Sequence, residues 1–172
     1  GDLKMGPRSA HLAHLPYECF DFPENSDVKI SMIKPCDNDP SDYLIAIDDE
    51  GKKYAFTIAG ASNFLQEIEQ GDYSFAQSKG YHKAWEALGK YLNKSAREVA
   101  TECMDKASQQ IWDIIETLIR DYELEKNFLT LFGGGGSAGV LTHYIGKKND
   151  IQSKIVSNAP YISTVGIALA MI

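Results

Sequence analysis

Four consecutive glycines, Gly133 to Gly136, follow the apolar run NFLTLF and precede a segment with helical character. Glycine lets the backbone adopt positive φ and approach another group closely. A helix that starts just after such a turn offers free N–H groups and a partial positive charge. The arrangement is typical of a loop that binds a phosphate or another flat or anionic ligand. We expect Ser137 to cap this helix and also to donate to the ligand.

The spacing of these glycines fits neither of two common nucleotide motifs. It is not G-x-x-x-x-G-K-[ST], so the segment is not a Walker A loop. A loose G-x-G-x-x-x-G occurs, but the next predicted strand, QSKIVSN, ends in Asn158 and no acidic residue follows it, which weakens a Rossmann interpretation. Two interpretations stay open: a ligand-binding turn, or glycines that only allow tight packing between a strand and a helix.

The N-terminal segment carries a second group of candidates. Arg8 could bind a carboxylate or phosphate through its planar guanidinium group, or it could brace the loop against a neighbouring carboxylate. His11 and His14 would share one face of a helix and could hold a metal ion. Because Pro7 and Pro16 bracket them and no third ligand is near, we predict no metal site here.

Other residues that could do chemistry have simpler interpretations. The cluster of Asp37, Asp39 and Asp42 lacks the calcium-loop spacing because Pro40 intervenes, so a solvated turn is expected. His143 lies in the helix after the glycines and could face either the core or a ligand. His82 has no partner that spacing identifies, and Cys103 is expected to be buried on an apolar helix face. No catalytic residue can be assigned from linear order, because triads assemble in space.

Composition limits the class of protein. The chain has 172 residues, with 44% hydrophobic and 24% charged residues, which is typical of a globular domain. A net charge of −7 argues against binding to nucleic acid or to a membrane surface. Three widely spaced cysteines without a CxxC pair favour free thiols in a reducing cytoplasm. Both ends resemble cuts in a longer polypeptide, so we expect a fragment.

The elements that must position the glycines follow an α/β pattern. We predict an irregular segment over 1–42 with a short strand at 28–33, and a β-hairpin over 43–60 around DDEGKK. The stretch 61–126 is predicted to be helical, and 127–172 a βαβα unit at the glycine turn. Within these regions the helices are predicted at 61–71, 80–94, 96–122, 137–147 and 162–172, and the last two strands at 127–132 and 152–158.

Two local signals refine the helices. Ser95 and Glu98 fit a capping box, S-x-x-E, at the start of the longest helix, and Gly71 is a candidate C-cap for the helix 61–71. Apolar residues of the longest helix recur at a spacing of three or four and predict one broad packed face. They are Ala96, Val99, Ala100, Cys103, Ala107, Ile111, Ile114, Ile115 and Leu118.

Several separated stretches resemble the hydantoinase A/oxoprolinase family. LFGGGGSAGVLTHYIG and ISTVGIALA are similar to the family's C-terminal glycine turn and final helix. Upstream, GPRSAHLAHLPYECF is similar to GPRSAHIAGLPYAxF, and DPSDYLIAIDDEGKKYAFTIAGASNFLQEIEQGDY to a pattern that contains DPADY and GDY. Two departures occur: His14 stands where the family has Gly, and Ile58 where it has Pro. The resemblance covers nearly the whole chain.

This resemblance implies a fold and an activity. The family belongs to the superfamily of actin, sugar kinases and heat-shock ATPases, so it implies part of a ribonuclease-H-like lobe with a mixed sheet and flanking helices. Its members use ATP and Mg²⁺ to open a cyclic amide, such as a hydantoin or 5-oxoproline, or to drive a related carboxylation. By phosphoryl transfer they activate a carbonyl or enol oxygen.

The resemblance also assigns residues. Gly133–Gly136 and Ser137 would contact the adenosine side of the nucleotide, and Gly166 would let the last helix pack close beside them. Arg8, Ser9 and His11 would belong to a substrate-binding or structural loop. The family's DxGGTxxD phosphate loop does not occur in this sequence. The chain is therefore expected to be inactive alone and to depend on other lobes of its polypeptide or on a second subunit. The alternative is a non-catalytic interaction or scaffolding module.

Overall fold

The computed structural model describes residues 27–35, 43–76 and 79–170. The candidate loop with Arg8, Ser9 and His11 lies outside these residues. The acidic cluster within 37–42 lies outside them too, as does His14. The described residues fold into an antiparallel sheet, a parallel sheet and five helices, which confirms the predicted α/β class.

The first sheet has three antiparallel strands, β1 (Ile30–Pro35), β2 (Tyr43–Asp48) and β3 (Lys53–Thr57), in that order. Because β1 begins and ends two residues later than predicted, only part of the stretch 28–33 is strand. The hairpin of β2 and β3 is confirmed. Neighbouring residues Ile45 and Ala46 are both buried although they point to opposite faces. The middle of β2 is therefore covered on both sides, as its continuous apolar run predicts.

A buried carboxylate closes the hairpin turn. Asp48 is only 8% exposed. Its Oδ1 accepts hydrogen bonds from the backbone N–H groups of Glu50 and Lys52, at 3.0 and 2.8 Å, and its Oδ2 accepts one from the Tyr54 hydroxyl at 2.9 Å. Gly51 takes a φ of 83° at the tip. The acidic residues of DDEGKK are thus not all solvated, because the first of them satisfies the turn's own backbone donors.

The helix after the hairpin differs from its prediction. α1 spans Ile58–Phe64, so residues 58–60 are helical and not strand. Thr57 caps it by accepting a hydrogen bond from the N–H of Gly60 at 3.0 Å. The helix ends at Phe64 because Gln66 takes a left-handed φ of 61°. The predicted C-cap at Gly71 is therefore wrong, and residues 65–76 form a loop with turns.

Two longer helices follow, α2 (Lys79–Leu92) and α3 (Ala96–Asp121). The capping box at the start of α3 is confirmed. The Ser95 hydroxyl accepts a hydrogen bond from the N–H of Glu98 at 3.2 Å, and the Glu98 carboxylate accepts one from the N–H of Ser95 at 2.8 Å. The carboxylate is also close to the positive end of the helix dipole, which stabilises it there.

The apolar face of α3 is buried only in its first half. Val99, Ala100 and Met104 pack into the core, but Ile114 and Leu118 are 64% and 47% exposed. The single packed face predicted for the whole helix is therefore wrong for its second half, since the described residues do not cover it. Helical periodicity identifies an apolar face but does not supply the surface against which it packs.

The main core lies between the antiparallel sheet and the first three helices. The Phe56 and Trp85 rings make an edge-to-face contact at 5.1 Å between centroids. Such contacts add to the stabilisation that burial of the two rings provides. The buried members are Ile30, Ala46, Tyr54, Phe56, Ala61, Ala84, Trp85, Ala87, Leu88, Val99, Ala100 and Met104.

The second sheet carries the glycine turn. It consists of two parallel strands, β4 (Thr130–Gly133) and β5 (Gln152–Ile155), joined by α4 (Ala138–Lys148). α5 (Ile162–Ala170) follows, so the predicted βαβα order is confirmed. β4 begins later than predicted because residues 126–128 form a 3₁₀ turn, and β5 ends at Ile155. The two sheets are separate in the described residues, and the predicted single mixed sheet is not found there.

Candidate functional site

The glycine turn lies at the carboxyl ends of the two parallel strands. Gly133 is the last residue of β4 and pairs with Ile155, the last residue of β5. The chain after β5 runs alongside the turn: the N–H of Val156 donates to Gly133 O at 2.9 Å, and the N–H of Gly135 donates to Ala159 O at 2.8 Å. Ligands of open α/β sheets collect at this end of the strands.

Two glycines near the turn are needed for packing. A Cβ at Gly133 would collide with the Thr142 hydroxyl of α4 and would lie 3.0 Å from Cδ1 of Ile155. A Cβ at Gly139 would lie 2.5 to 2.6 Å from the carboxylate atoms of Asp72. At these two positions the packing interpretation of the glycines is supported, because the side chains of neighbouring elements already fill the space.

The other glycines of the run lie in a more open environment. Gly135 has a φ of 105°, and a Cβ there would meet nothing within 4 Å. At Gly134 the nearest atom would be Cδ1 of Ile162, and at Gly136 it would be Cε1 of Tyr73, each at 3.4 Å. Gly135 therefore requires glycine for its backbone conformation and leaves room for another molecule beside the chain.

A cleft of about 520 Å³ opens at the turn. This volume lies within the usual range of small-molecule sites. Its walls are mostly apolar side chains from α3, β4 and α4, and its remaining surface is glycine backbone with the hydroxyl-bearing Ser137 and Thr142. The lining residues are Ile111, Leu131, Phe132, Gly133, Gly134, Gly135, Gly136, Ser137, Ala138, Leu141, Thr142 and Ile145.

Ser137 lies at the start of α4 but does not cap it as predicted. It occupies the N-cap position with a ψ of 14°, and its side chain makes no capping hydrogen bond. A capping side chain needs the extended backbone that Thr57 and Ser95 adopt, with ψ values of 163° and 151°. The Ser137 residue is exposed at the mouth of the cleft.

The segment 72–74, from the GDYS stretch, covers one side of the turn. The Asp72 carboxylate lies against Gly139, and the Tyr73 ring lies against Gly136. The Ser74 hydroxyl donates to Gly136 O at 2.7 Å. Sequence reasoning gave these residues no role, although GDY is one of the stretches that carry the family resemblance. The only sequence signal for this contact is that GDY and the glycine run both belong to the stretches that resemble the family.

α1 holds this segment in place. The Asn63 side-chain amide donates to Ser74 O at 2.9 Å and accepts from the N–H of Ala76 at 2.8 Å. Asp72 Oδ1 in turn accepts from the N–H of Ser74 at 2.7 Å. The buried hydroxyl of Ser62 donates to Val140 O at 3.0 Å and ties α1 to α4. The position of the glycine turn therefore depends on a helix that lies about seventy residues earlier in the chain.

A second, more polar cleft of about 560 Å³ lies behind Gly139. His143 faces it, and its Nδ1 lies 3.0 Å from the Ser153 hydroxyl oxygen of β5. His143 thus faces neither the core nor the glycine cleft. His82 is exposed and lies with its ring tilted against Phe64, at 5.2 Å between centroids. Cys103 is half-buried, and this burial raises the pKa of its thiol.

A polar cluster joins α3 to α4 beside the site. The Lys148 ammonium and the Tyr144 hydroxyl both donate to Asp105 Oδ1, at 2.5 and 2.8 Å. The hydrogen bond from Lys148, with a smaller contribution from Tyr144, lowers the pKa of Asp105. Burial, together with the Asp105 carboxylate, raises the pKa of Tyr144 to about 12. These groups position α4 and do not face the glycine cleft.

Three further observations concern the described part of the chain. No group of three His, Cys, Asp or Glu residues converges there to hold a metal ion. None of its helices combines the length and apolar character needed to cross a membrane. A Cβ at Gly166 would meet nothing within 4 Å, so the predicted close packing of the last helix at that glycine is not found among the described residues.

The comparisons with known proteins identify the family. A family model described as hydantoinase/oxoprolinase matches residues 1–172. The chain therefore belongs to the hydantoinase/oxoprolinase family, which confirms the resemblance seen in the sequence. Searches of curated proteins and of solved structures gave no match.

Proposed function

We propose that this chain is the C-terminal part of an ATP-dependent enzyme of the hydantoinase/oxoprolinase type. The enzyme would hydrolyse a cyclic amide, such as a hydantoin or 5-oxoproline, or carry out a related ATP-driven carboxylation. Family membership supports the amidohydrolase class. The observation that carries the nucleotide-binding part is the open cleft beside Gly135, where the backbone leaves room for a ligand.

The cleft suits the nucleoside end of ATP. Its apolar walls match the flat face of a base, and the exposed Ser137 offers a hydroxyl at the mouth. The described residues do not fit Mg²⁺, because no acidic cluster converges on the turn. In this proposal, ATP supplies the phosphoryl group that activates the substrate's carbonyl oxygen, and the metal and phosphate ligands belong to other lobes of the polypeptide.

The proposal extends to the fold and the location. β4, α4 and β5 would form part of a ribonuclease-H-like lobe, whose sheet the other lobe or domain would extend. A cytoplasmic location would expose the site to ATP. In this scheme the glycine turn only positions the nucleotide, and Arg8, Ser9 and His11 would belong to a substrate-binding or structural loop.

A matched pair of glycine variants tests nucleotide binding. Gly135 and Gly51 both have positive φ, at 105° and 83°, and a Cβ at either would meet nothing within 4 Å. Alanine should therefore strain the backbone similarly at both positions, but only Gly135 lines the cleft. We expect Gly135→Ala to weaken ADP binding by the full-length protein at least tenfold in calorimetry, and Gly51→Ala to leave it unchanged. Equal binding by both variants would refute a ligand role for the turn.

One observation favours the alternative of an interaction module. Apolar residues of α5 are well exposed, with Val165, Ile167 and Leu169 at 54% to 65%. Together with the exposed half of α3, they offer a surface that other lobes or a second subunit would cover. If the full-length protein binds no ADP, and if Ile167→Ser changes its oligomeric state in analytical ultracentrifugation, the module interpretation replaces the enzyme.

A further inference from the structure

The Thr142 hydroxyl is the one buried side-chain polar group near the turn without a hydrogen bond to the described residues. Thr142 is 9% exposed. The other buried polar side chains, those of Asp48, Ser62 and Ser108, each bond to a backbone or side-chain group. Buried hydroxyls normally have a partner, because leaving one unpaired costs the hydration that it had in the unfolded chain. Thr142 therefore calls for a partner that the described residues do not provide.

The position of Thr142 indicates where that partner would be. Thr142 lies on α4, four residues after Ala138, so it is one helical turn in from the mouth of the cleft. Its hydroxyl lies directly beneath Gly133, where any Cβ would collide with it, and the residue lines the glycine cleft. A ligand in the cleft would therefore come within reach of this residue.

The residue type supports a role beyond packing. Valine has nearly the same shape as threonine and the same branching at Cβ, so it would fill this space without an unpaired polar atom. In a helix, a threonine hydroxyl often bonds to the carbonyl four residues earlier, as Thr117 does with Asp113 O at 2.9 Å. Thr142 makes no such bond in the described structure, so its hydroxyl keeps its full hydrogen-bonding capacity.

We infer that the Thr142 hydroxyl forms a hydrogen bond with the nucleoside of the bound nucleotide and so positions it in the cleft. The inference rests on the proposed function and adds to it a residue that selects the ligand. A hydroxyl can both donate and accept, so its partner is a polar atom on the sugar or on the edge of the base. The apolar walls on either side cannot replace that bond.

Two variants test the inference in the full-length protein. Thr142→Val removes the hydroxyl and keeps the shape, and it should weaken ADP binding about threefold to tenfold, the loss expected for one neutral hydrogen bond. Thr142→Ser restores a hydroxyl and should bind within about twofold of the original protein. If Thr142→Val binds ADP as tightly as the original protein while Gly135→Ala binds it poorly, the Thr142 role is wrong and the proposed function stands. If the original protein binds no ADP, both are wrong.

Stability gives a second readout that a structural role would move. Because the hydroxyl has no partner among the described residues, Thr142→Val should leave the Tm unchanged or raise it. A clear drop in Tm for this variant would mean that the hydroxyl serves the fold, and the inference would fail. Repeating the titration with 2′-deoxy-ADP identifies the partner atom. If Thr142→Val causes no loss of affinity for 2′-deoxy-ADP, the partner of the hydroxyl is the sugar 2′-hydroxyl. If the loss of affinity persists, the partner is another atom of the nucleoside. Both results support the hydrogen bond.

Discussion

The replacement Gly133→Ala gives the sharpest test of how the glycine turn is built. A methyl group at Gly133 would collide with the Thr142 hydroxyl and would lie 3.0 Å from Cβ of Thr142 and from Cδ1 of Ile155. Rotation of the Thr142 side chain cannot relieve the contact with its Cβ, so β4 and α4 must move apart. Overpacking of this kind costs about 1–3 kcal/mol.

The expected net effect is a loss of stability. Alanine also lowers the conformational entropy of the unfolded chain. Where the native backbone conformation suits alanine, this raises the free energy of unfolding by about 0.4–1 kcal/mol. The mid-range net loss is then about 1.3 kcal/mol, which for a chain of this size corresponds to a drop in Tm of roughly 3–5 °C. The free energy of unfolding in urea, followed by the fluorescence of Trp85 and Trp112, measures it directly.

Two controls separate the collision from other effects of the substitution. At Gly134 the nearest atom to a new Cβ would be 3.4 Å away, so Gly134→Ala should change the free energy of unfolding by less than about 0.5 kcal/mol. Adding Thr142→Ala to Gly133→Ala removes the colliding hydroxyl and leaves only the two 3.0 Å contacts, so it should recover about 1 kcal/mol or more as a coupling energy. If the two glycine variants are equally stable, or if the double variant shows no coupling, the collision is not what requires glycine at 133.

Three further changes probe other parts of the fold. Ser95→Ala removes the capping box of α3 and should lower the free energy of unfolding by about 1 kcal/mol. Ser95→Asp keeps a capping oxygen and should lower it much less. Equal losses for the two variants would contradict the capping role. The hydrogen bond from Lys148 lowers the pKa of Asp105, so the ionised carboxylate stabilises the folded state at any pH above its ordinary pKa. This stabilisation is lost as the pH falls through the lowered pKa. Asp105→Asn should therefore lose less stability than the original protein between about pH 5 and pH 2. Burial raises the pKa of Tyr144 to about 12, so the neutral phenol contributes its full stabilisation below about pH 10 and loses it as the pH rises to 12. Tyr144→Phe should therefore reduce the fall in stability between these pH values. An unchanged fall would exclude Tyr144 as its cause.

Local signals in the sequence predicted local structure well. The hairpin around Gly51, the capping box at Ser95 and the β-turn-α-β order around the glycines each depend on a few neighbouring residues, and all are found. The start of α1 was missed because strand and helix propensities overlap near Ile58. The C-cap predicted at Gly71 was wrong because Gln66, a residue type that rarely takes positive φ, follows the actual end of the helix.

The separate roles of the glycines could not be predicted from their spacing. Gly133 and Gly139 are needed because Thr142 and Asp72 occupy the space beside them, whereas Gly135 is needed for its φ. The Asp72 contact joins residues 67 positions apart, and no local pattern encodes it. The same limit explains the exposed second half of α3, since periodicity cannot say which surface will cover a helix face.

The hydrogen bonds that Val156 and Gly135 make across the turn affect how any ligand would be received. A run of four glycines in isolation samples many conformations, and fixing it at the moment of association would consume much of the affinity gained. Here the flanking chain after β5 and the Ser74 hydroxyl already fix the run from two sides. The protein therefore loses this conformational entropy when it folds, and an incoming molecule meets a preorganised surface.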